Sequence, residues 1–311
     1  MILTITLHPS IDRTVELDAP LEVGGVARAA ARAIEEPAGK GVNVTRTLLA
    51  AGTASTAIVV ADAHDRLVTT LEALDVPVRA IPAGAPVRQS TAIVDPDGTT
   101  TKVNESGAAV AGAVREALLD AVDELAGTAR WVVLAGSLPP GTDAAVVAEV
   151  VAAVRTAGDA RIAVDTSGAA LAAALDAGVD LVKPNETELA ELLGLDPHAL
   201  DDPEDAIAAA RTLAERVGAV LLTLGADGAA LVTAAGIWRA APPPTVVRST
   251  VGAGDATLAG YLHAERDGLA EPQRLAQAIA HGSAAAALPG TGIPTPDLAD
   301  ATRVAVRELT V

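Results

Sequence analysis

Residues 249–255 read Ser249-Thr250-Val251-Gly252-Ala253-Gly254-Asp255, and the stretch after them, Ala256 to Arg266, has helical period. Glycines at the mouth of a helix let backbone N–H groups approach an anion closely, and the helix dipole adds partial positive charge there. The segment therefore reads as an anion hole with a carboxylate attached. Such a carboxylate can take the proton from a hydroxyl while the hole holds the phosphoryl group under attack. Taken alone, Asp255 reads equally well as a dipole-complementing residue of a first helical turn.

A second signal is one of usage. The chain has 19 Arg but three Lys and three Asn, and these six form three local pairs: Lys40 with Asn43, Lys102 with Asn104, and Lys183 with Asn185. Asn is common in turns, but the pairing favours three polar sites that face a ligand. Gly39-Lys40-Gly41 lacks the spacing and the hydroxyl of a P-loop, no Gly-x-Gly-x-x-Gly opens a helix after the first strand, and Gly136-Ser137 does not complete a nucleophile elbow. Phosphoryl transfer must then use other parts.

The composition sets outer limits. A length of 311 residues, half of them hydrophobic, allows one large α/β domain or two small ones. Lys plus Arg total 22 against 40 Asp plus Glu, for a net charge of -18, which repels nucleic acid and anionic membranes, so a bound phosphate needs a local basic pocket. The chain has no Cys, which excludes thiol catalysis and cysteine zinc sites, and its five His form no His-Glu-x-x-His pattern. Only Trp131, Trp238 and Tyr261 are aromatic, so base-stacking platforms are not expected. With no leader-like start and no run of about 18 apolar residues, the expected location is cytoplasmic, with no membrane partner.

Positioning such groups falls to short apolar runs that alternate with Ala-rich helical stretches, the pattern of a mainly parallel sheet covered on both faces. Strands are expected at 2–7, 56–60, 130–134, 161–164, 181–182, 219–224 and 229–232. Helices are expected at 41–50, 65–74, 143–156, 186–193, 203–216, 253–266 and 272–288. Residues 13–17 with 26–34, and 88–94 with 99–104, alternate like exposed strands, and Asp95-Pro96-Asp97-Gly98 is a strong turn signal between the second pair. A single domain over 1–311 is expected, with a small sheet from about 12–36 and 86–105 acting as lid, dimer contact or both; an antiparallel extension of the main sheet is the alternative.

Six segments, in order, carry a resemblance over nearly the whole chain: Thr6-Leu7-His8-Pro9-Ser10-Ile11-Asp12, Gly39-Lys40-Gly41-Val42-Asn43-Val44, Gly136-Ser137-Leu138-Pro139-Pro140-Gly141, Lys183-Pro184-Asn185-Glu186-Thr187-Glu188-Leu189, Leu224-Gly225-Ala226-Asp227-Gly228, and Ser249 to Asp255. The chain resembles the ribokinase-like (PfkB) carbohydrate kinases, in their phosphosugar branch, and its opening and 95–105 look most like 1-phosphofructokinases. The resemblance implies a three-layer α/β/α sandwich with a β-sheet lid. It implies Asp255 as general base and the Gly252, Ala253 and Gly254 amides as the hole for the transferring phosphoryl group. Asp12 matches the acceptor of sugar hydroxyls, flanked by Gly39, Lys40 and Asn43. Lys40 and Arg88 are expected at the sugar phosphate, with Ser90, Lys102, Asn104 and Ser137 near it. Lys183, Asn185, Thr223, Gly225, Gly228 and Ser283 fall where the family binds ATP, and Asn185 with Glu188 bear on Mg²⁺ through water. ATP and Mg²⁺ are the implied cofactors, K⁺ a further one, and a homodimer through the lid sheet the implied assembly.

The implied reaction is phosphorylation of a ketohexose phosphate by ATP, foremost fructose 1-phosphate at its 6-hydroxyl. Tagatose 6-phosphate or fructose 6-phosphate, an unphosphorylated sugar, and a non-catalytic sugar-phosphate sensor are the competing readings. Four departures bear on the substrate rather than on phosphoryl transfer. Ala38 stands where Gly is usual, His8 where Asn is common, and Arg88-Gln89-Ser90-Thr91-Ala92 replaces the frequent Arg-x-Asn-x-Lys, so an amide and a cation are missing from that strand.

Overall fold

Continuous runs of Ile, Val, Leu and Ala bury both faces of a strand, and strands of this kind form the middle of a ten-stranded central sheet. The computed structural model describes residues 1–309. In spatial order the strands are β14 (Val306–Leu309), β13 (Gly236–Ala240), β12 (Ala229–Thr233), β11 (Ala219–Thr223), β10 (Leu181–Val182), β9 (Arg161–Asp165), β8 (Trp131–Ala135), β1 (Ile2–Thr6), β4 (Ser55–Val60) and β5 (Val78–Ile81). Pairing is parallel from β5 to β11 and antiparallel from β11 to β14.

Alternate strand residues feed two cores. Leu3, Ile5, Val132, Leu134, Ile162, Val164 and Val220 pack with α3 (Ala113–Ala126), α4 (Ala145–Ala157), α5 (Gly168–Ala177), α6 (Glu186–Leu192) and α7 (Pro203–Ala214). Ile2, Trp131, Val133, Ala163 and Leu221 face the other way, onto α1 (Lys40–Ala50), α8 (Ala253–Arg266) and α9 (Glu271–Ala286). On that side α2 (Arg66–Ala73) covers Ala57 and Val59. The three-layer sandwich expected from the sequence is thus present. Among the described residues no helix is long and apolar enough to cross a membrane.

A separate four-stranded sheet has the order β3 (Ile34–Ala38), β2 (Ser10–Glu16), β6 (Arg88–Val94) and β7 (Thr100–Asn104). The strand expected at 26–34 is not there. Its place beside β2 is taken by Ile34–Ala38; residues 17–33 form a loop closed by a Leu17–Ala29 bridge, with the Ala30 N–H donating to the Glu16 carbonyl at the end of β2. Two observations explain the shift. Ala38 is buried next to the start of α1 and pairs with Ser10, which fixes the register backwards to Thr14 opposite Ile34. Val26, 85% exposed, has no face to bury against, so its alternation has nothing to stabilise a strand. Pro37 is tolerated because β3 is an edge strand.

Register also decides which side chains share a face. Ser10 is opposite Arg88, Asp12 opposite both Glu36 and Ser90, Ser90 opposite Asn104, and Ala92 opposite both Thr14 and Lys102. One face of the small sheet therefore carries Asp12, Glu36, Arg88, Ser90, Lys102 and Asn104 together.

Candidate active site

Between that face and the main sheet lies a cleft of about 1060 Å³, at the C-terminal ends of the parallel strands, where ligands bind in open α/β sheets. The chain leaves β1 toward β4 and β5 and later returns to β8 on the other side of β1, so the sheet reverses its winding between β1 and β8. Every site residue expected from the sequence lines this one cleft: Asp12, Gly39, Lys40, Asn43, Arg88, Ser90, Lys102, Asn104, Ser137, Lys183, Asn185, Glu188, Thr223, Gly225, Gly228, Gly252, Ala253, Gly254, Asp255 and Ser283.

At its floor, Gly252 caps α8 with φ 77°, a left-handed conformation open to glycine, and leaves the first-turn amides free of side-chain caps. Asp255 follows in that first turn and is buried. Asn43 of α1 donates from Nδ2 to Asp255 Oδ2 at 2.8 Å, which orients the carboxylate across the helix pair. Burial, reinforced by the nearby Asp165 carboxylate, pushes the Asp255 carboxyl up to about 6, against the opposing pull of Asn43, Lys40 and Lys183. It is a base poised near neutrality.

Asp165, at the end of β9, is the residue that the motifs missed. It is fully buried, and Lys40 Nζ lies 2.7 Å from Oδ1 while Lys183 Nζ lies 3.1 Å from Oδ2. Burial opposes its charge, but the two ammonium groups outweigh that and hold the Asp165 carboxyl below its ordinary range. Lys40, expected at the sugar phosphate, lines the same cleft as Arg88. Its ammonium is turned to Asp165, with Glu188 Oε1 3.7 Å away, and these carboxylates overcome burial to hold it above the usual lysine range. A carboxylate at the C-terminal end of a buried parallel strand, in Asp165-Thr166-Ser167-Gly168, was the available signal.

On the side of Lys183, Asn185 and Glu188 form a reciprocal capping box on α6: Glu188 N–H donates to Asn185 Oδ1 at 2.7 Å, and Asn185 N–H donates to Glu188 Oε2 at 3.0 Å. This is the helix-cap arrangement, and it leaves Glu188 Oε1 toward Lys40. Thr223 bridges to Asn185 at the end of β11. Gly228 has φ 91°, and a Cβ there would fall 2.0 Å from the Ala240 carbonyl oxygen, so only glycine fits the turn between β11 and β12. Ile279, Gly282, Ser283 and Ala286 of α9 line this arm of the cleft together with Pro242, Pro243 and Pro244 and give it an apolar wall.

The small sheet supplies the other arm. Ser10 donates to Asp12 Oδ1 at 2.7 Å, and burial raises the Asp12 carboxyl against the pull of Ser10 and Arg88. Arg88 donates from Nη1 to Ser90 Oγ at 3.1 Å, its buried Nε has no partner, and no carboxylate lies within ion-pair distance of it among the described residues. Ala38 closes β3 without strain, since Asp75 is the only non-glycine residue with positive φ among the described residues. Glu36 had no assigned role; it accepts from Thr291 Oγ1 at 2.9 Å and so ties β3 to the segment after α9.

Residues 6–293 match the family described as pfkB family carbohydrate kinase. The chain is 39% identical to a 1-phosphofructokinase of Rhodobacter capsulatus over 91% of this chain and 90% of that one. It is 34% identical to the ATP-dependent 6-phosphofructokinase isozyme 2 of Escherichia coli over 95% and 96% of the two chains. Phosphofructokinase-2 from Escherichia coli, solved in complex with substrates and products and also with potassium, superposes with a TM-score of 0.88 at 32% identity over 96% of both chains.

Proposed function

The chain belongs to the pfkB family of carbohydrate kinases and is a phosphotransferase with an alcohol acceptor, and we infer from its cleft that the acceptor is a ketohexose phosphate, foremost the 6-hydroxyl of fructose 1-phosphate. The observation that carries this reading is Arg88, a half-buried cation with no carboxylate partner among the described residues, on the same face as Lys102 and Asp12. An unphosphorylated sugar would leave both cations without an anion; a sugar phosphate satisfies them.

In this reading Asp12 accepts hydrogen bonds from sugar hydroxyls, and Asp255 takes the proton from the attacking hydroxyl. The amides of Gly252, Ala253 and Gly254 receive the charge of the transferring γ-phosphoryl of ATP. Lys183 and Lys40, fixed from below by Asp165, neutralise the polyphosphate, and the adenine lies against the apolar wall of Pro242–Pro244 and α9. Glu188, whose Oε1 is not used in the capping box, and Asn185 beside it line the cleft and would hold Mg²⁺ through water and the phosphates, where the ion would neutralise β/γ charge. Potassium joins the reading through the Escherichia coli complex. The small sheet acts as the lid, and its exposed edge strand β7 offers a surface for a second copy of the chain.

The test is an ADP-release assay with Mg-ATP against fructose 1-phosphate, fructose 6-phosphate, tagatose 6-phosphate and free fructose. Preference for fructose 1-phosphate is expected. Preference for fructose 6-phosphate, as in the Escherichia coli relative, moves the acceptor to the 1-hydroxyl, and turnover of free fructose alone overturns the phosphosugar reading.

A further inference from the structure

His8 stands on the only loop that passes directly from β1 into the small sheet, and its two ring nitrogens are both engaged. Nε2 lies 2.8 Å from the carbonyl oxygen of Ser106, just beyond β7, and Nδ1 lies 3.1 Å from Ser137 Oγ, just beyond β8. The carbonyl can only accept, so Nε2 carries the proton in the neutral ring. Nδ1 is then a lone pair, and the Ser137 hydroxyl must donate to it. The contact with Ser106 is a built one, because Gly107 has φ 71° and a Cβ there would lie 2.7 Å from His8 Nε2 and 3.3 Å from Arg88 Cδ. His8 therefore joins lid and body at the point where the sheet reverses its winding, beside Arg88.

The neutral arrangement has a consequence for an anion. With its proton committed to His8, Ser137 presents only lone pairs to the cleft, and a phosphate dianion is also acceptor-only. A protonated His8 reverses the bond: Nδ1–H donates to Ser137 Oγ, and the hydroxyl hydrogen turns to the cleft. Charged groups around the ring are few. Arg88 on β6 faces it, Glu105 precedes Ser106 and accepts from the Gln89 N–H, and Asp12 lies next to Arg88 on the small sheet. In the empty cleft, burial first and Arg88 second hold the imidazole below its ordinary range. An anion on Arg88 cancels the second effect and adds attraction.

We propose that His8 is a proton-linked positioning residue for the sugar phosphate: neutral in the empty cleft, it takes a proton from solvent when the phosphate settles against Arg88, and so turns Ser137 from acceptor into donor. This rests on the phosphosugar reading above. It assigns to the residue that departs from Asn at this position a function that Asn cannot perform, since an amide does not titrate.

The experiment is calorimetry of fructose 1-phosphate and fructose 6-phosphate binding to the full chain, without ATP, in buffers of different ionisation enthalpy from pH 6 to 8, with His8→Asn beside the wild type. The wild type is expected to take up a fraction of a proton more than the variant at pH values between the free and bound midpoints, and its Kd to rise with pH across that window by about tenfold in total for each unit of midpoint shift, while the variant follows only the ligand's own titration. Histidine-labelled protein supplies a readout independent of the variant's folding: one imidazole C–H resonance should move its titration midpoint upward by about a unit or more on binding. Binding with equal proton counts and no moving resonance overturns the proposal alone. Absence of binding by either sugar phosphate overturns the phosphosugar reading and the proposal with it.

Discussion

Lys102 of β7 is paired in register with Ala92 of β6, and two residues along Asn104 is paired with Ser90. The cation and the amide missing from β6 are thus carried by the neighbouring strand, on the face that lines the cleft. Paired positions in a sheet have their Cβ atoms about 5 Å apart, well within the reach of a lysine. Lys102→Ala is expected to raise KM for the sugar phosphate about tenfold with kcat little changed, because the lost contact acts on ground and transition state alike. Adding Ala92→Lys to that variant should restore KM. Steady-state kinetics at saturating Mg-ATP decide it, and an unchanged KM in Lys102→Ala removes β7 from phosphate recognition.

Asp255 makes a prediction in activity and one in stability. Asp255→Asn keeps an acceptor for Asn43 but not the base, so kcat should fall by about 10²-fold or more. In the wild type, kcat/KM should fall about tenfold per pH unit below about 6, where the carboxylate is protonated. The sign for folding is opposite. The folded carboxyl titrates above its ordinary 3.8, so ionising it opposes folding, and the fold gains stability as pH drops through about 6. Asp255→Asn should therefore raise the urea midpoint at pH 8, with the gain vanishing by about pH 4. A variant less stable than wild type at pH 8 contradicts the strained carboxylate.

Much of this was legible in the sequence because the motifs sit in loops at strand ends, where residue type is dictated by backbone and ligand together. The α8 start, the capping box at Asn185 and the turn at Gly228 each follow from local rules. What escaped lacked a clear periodic or boundary signal, or was long-range: α3 (Ala113–Ala126), whose acidic and apolar residues are interleaved, and the four-residue β5 (Val78–Ile81) were not expected. α5 is almost all Ala and Leu and has no polar face to mark it as a helix, while β13 and the edge strand β14 mix polar and apolar residues. Asp165 is separated by 125 positions from Lys40, so nothing in spacing joins them. β3 was displaced because its register is set by the packing of Ala38 and not by its own alternation.

Asp165 is the buried counter-ion of two lysines that line the cleft, which sets up a third prediction. Asp165→Ala leaves Lys40 and the buried Lys183 facing each other, at an expected cost of about 3–5 kcal/mol in unfolding free energy. Tripolyphosphate should then raise the melting temperature of the variant by more than that of the wild type, since an added anion restores the missing charge. Thermal melts with and without the anion check both statements; equal shifts would mean that the lysines do not face the polyphosphate.

The far end of α8 is held by a different device, and it yields the last prediction. Glu265 is 3% exposed yet ionised: Arg130 lies 2.9 Å from Oε1, the Trp131 indole N–H donates to Oε2 at 2.7 Å, and Arg161 bonds Oε1 while stacking 4.2 Å from the Trp131 ring centre. Burial opposes the charge, but these donors outweigh it and hold the carboxyl down to about 2, against an ordinary 4.5. A depressed carboxyl stabilises the fold above its unfolded value, and that stability is lost as pH falls through the folded one. The difference corresponds to about 3 kcal/mol. Glu265→Gln should accordingly lower the unfolding free energy by about that amount at pH 7, and the gap to wild type should close between pH 4.5 and about 2. Glu265 lies outside the cleft, so kcat of the folded variant should stay within about twofold. Urea titrations at stepped pH measure the gap; one that persists undiminished at pH 2 would mean that Glu265 contributes by packing and not by charge.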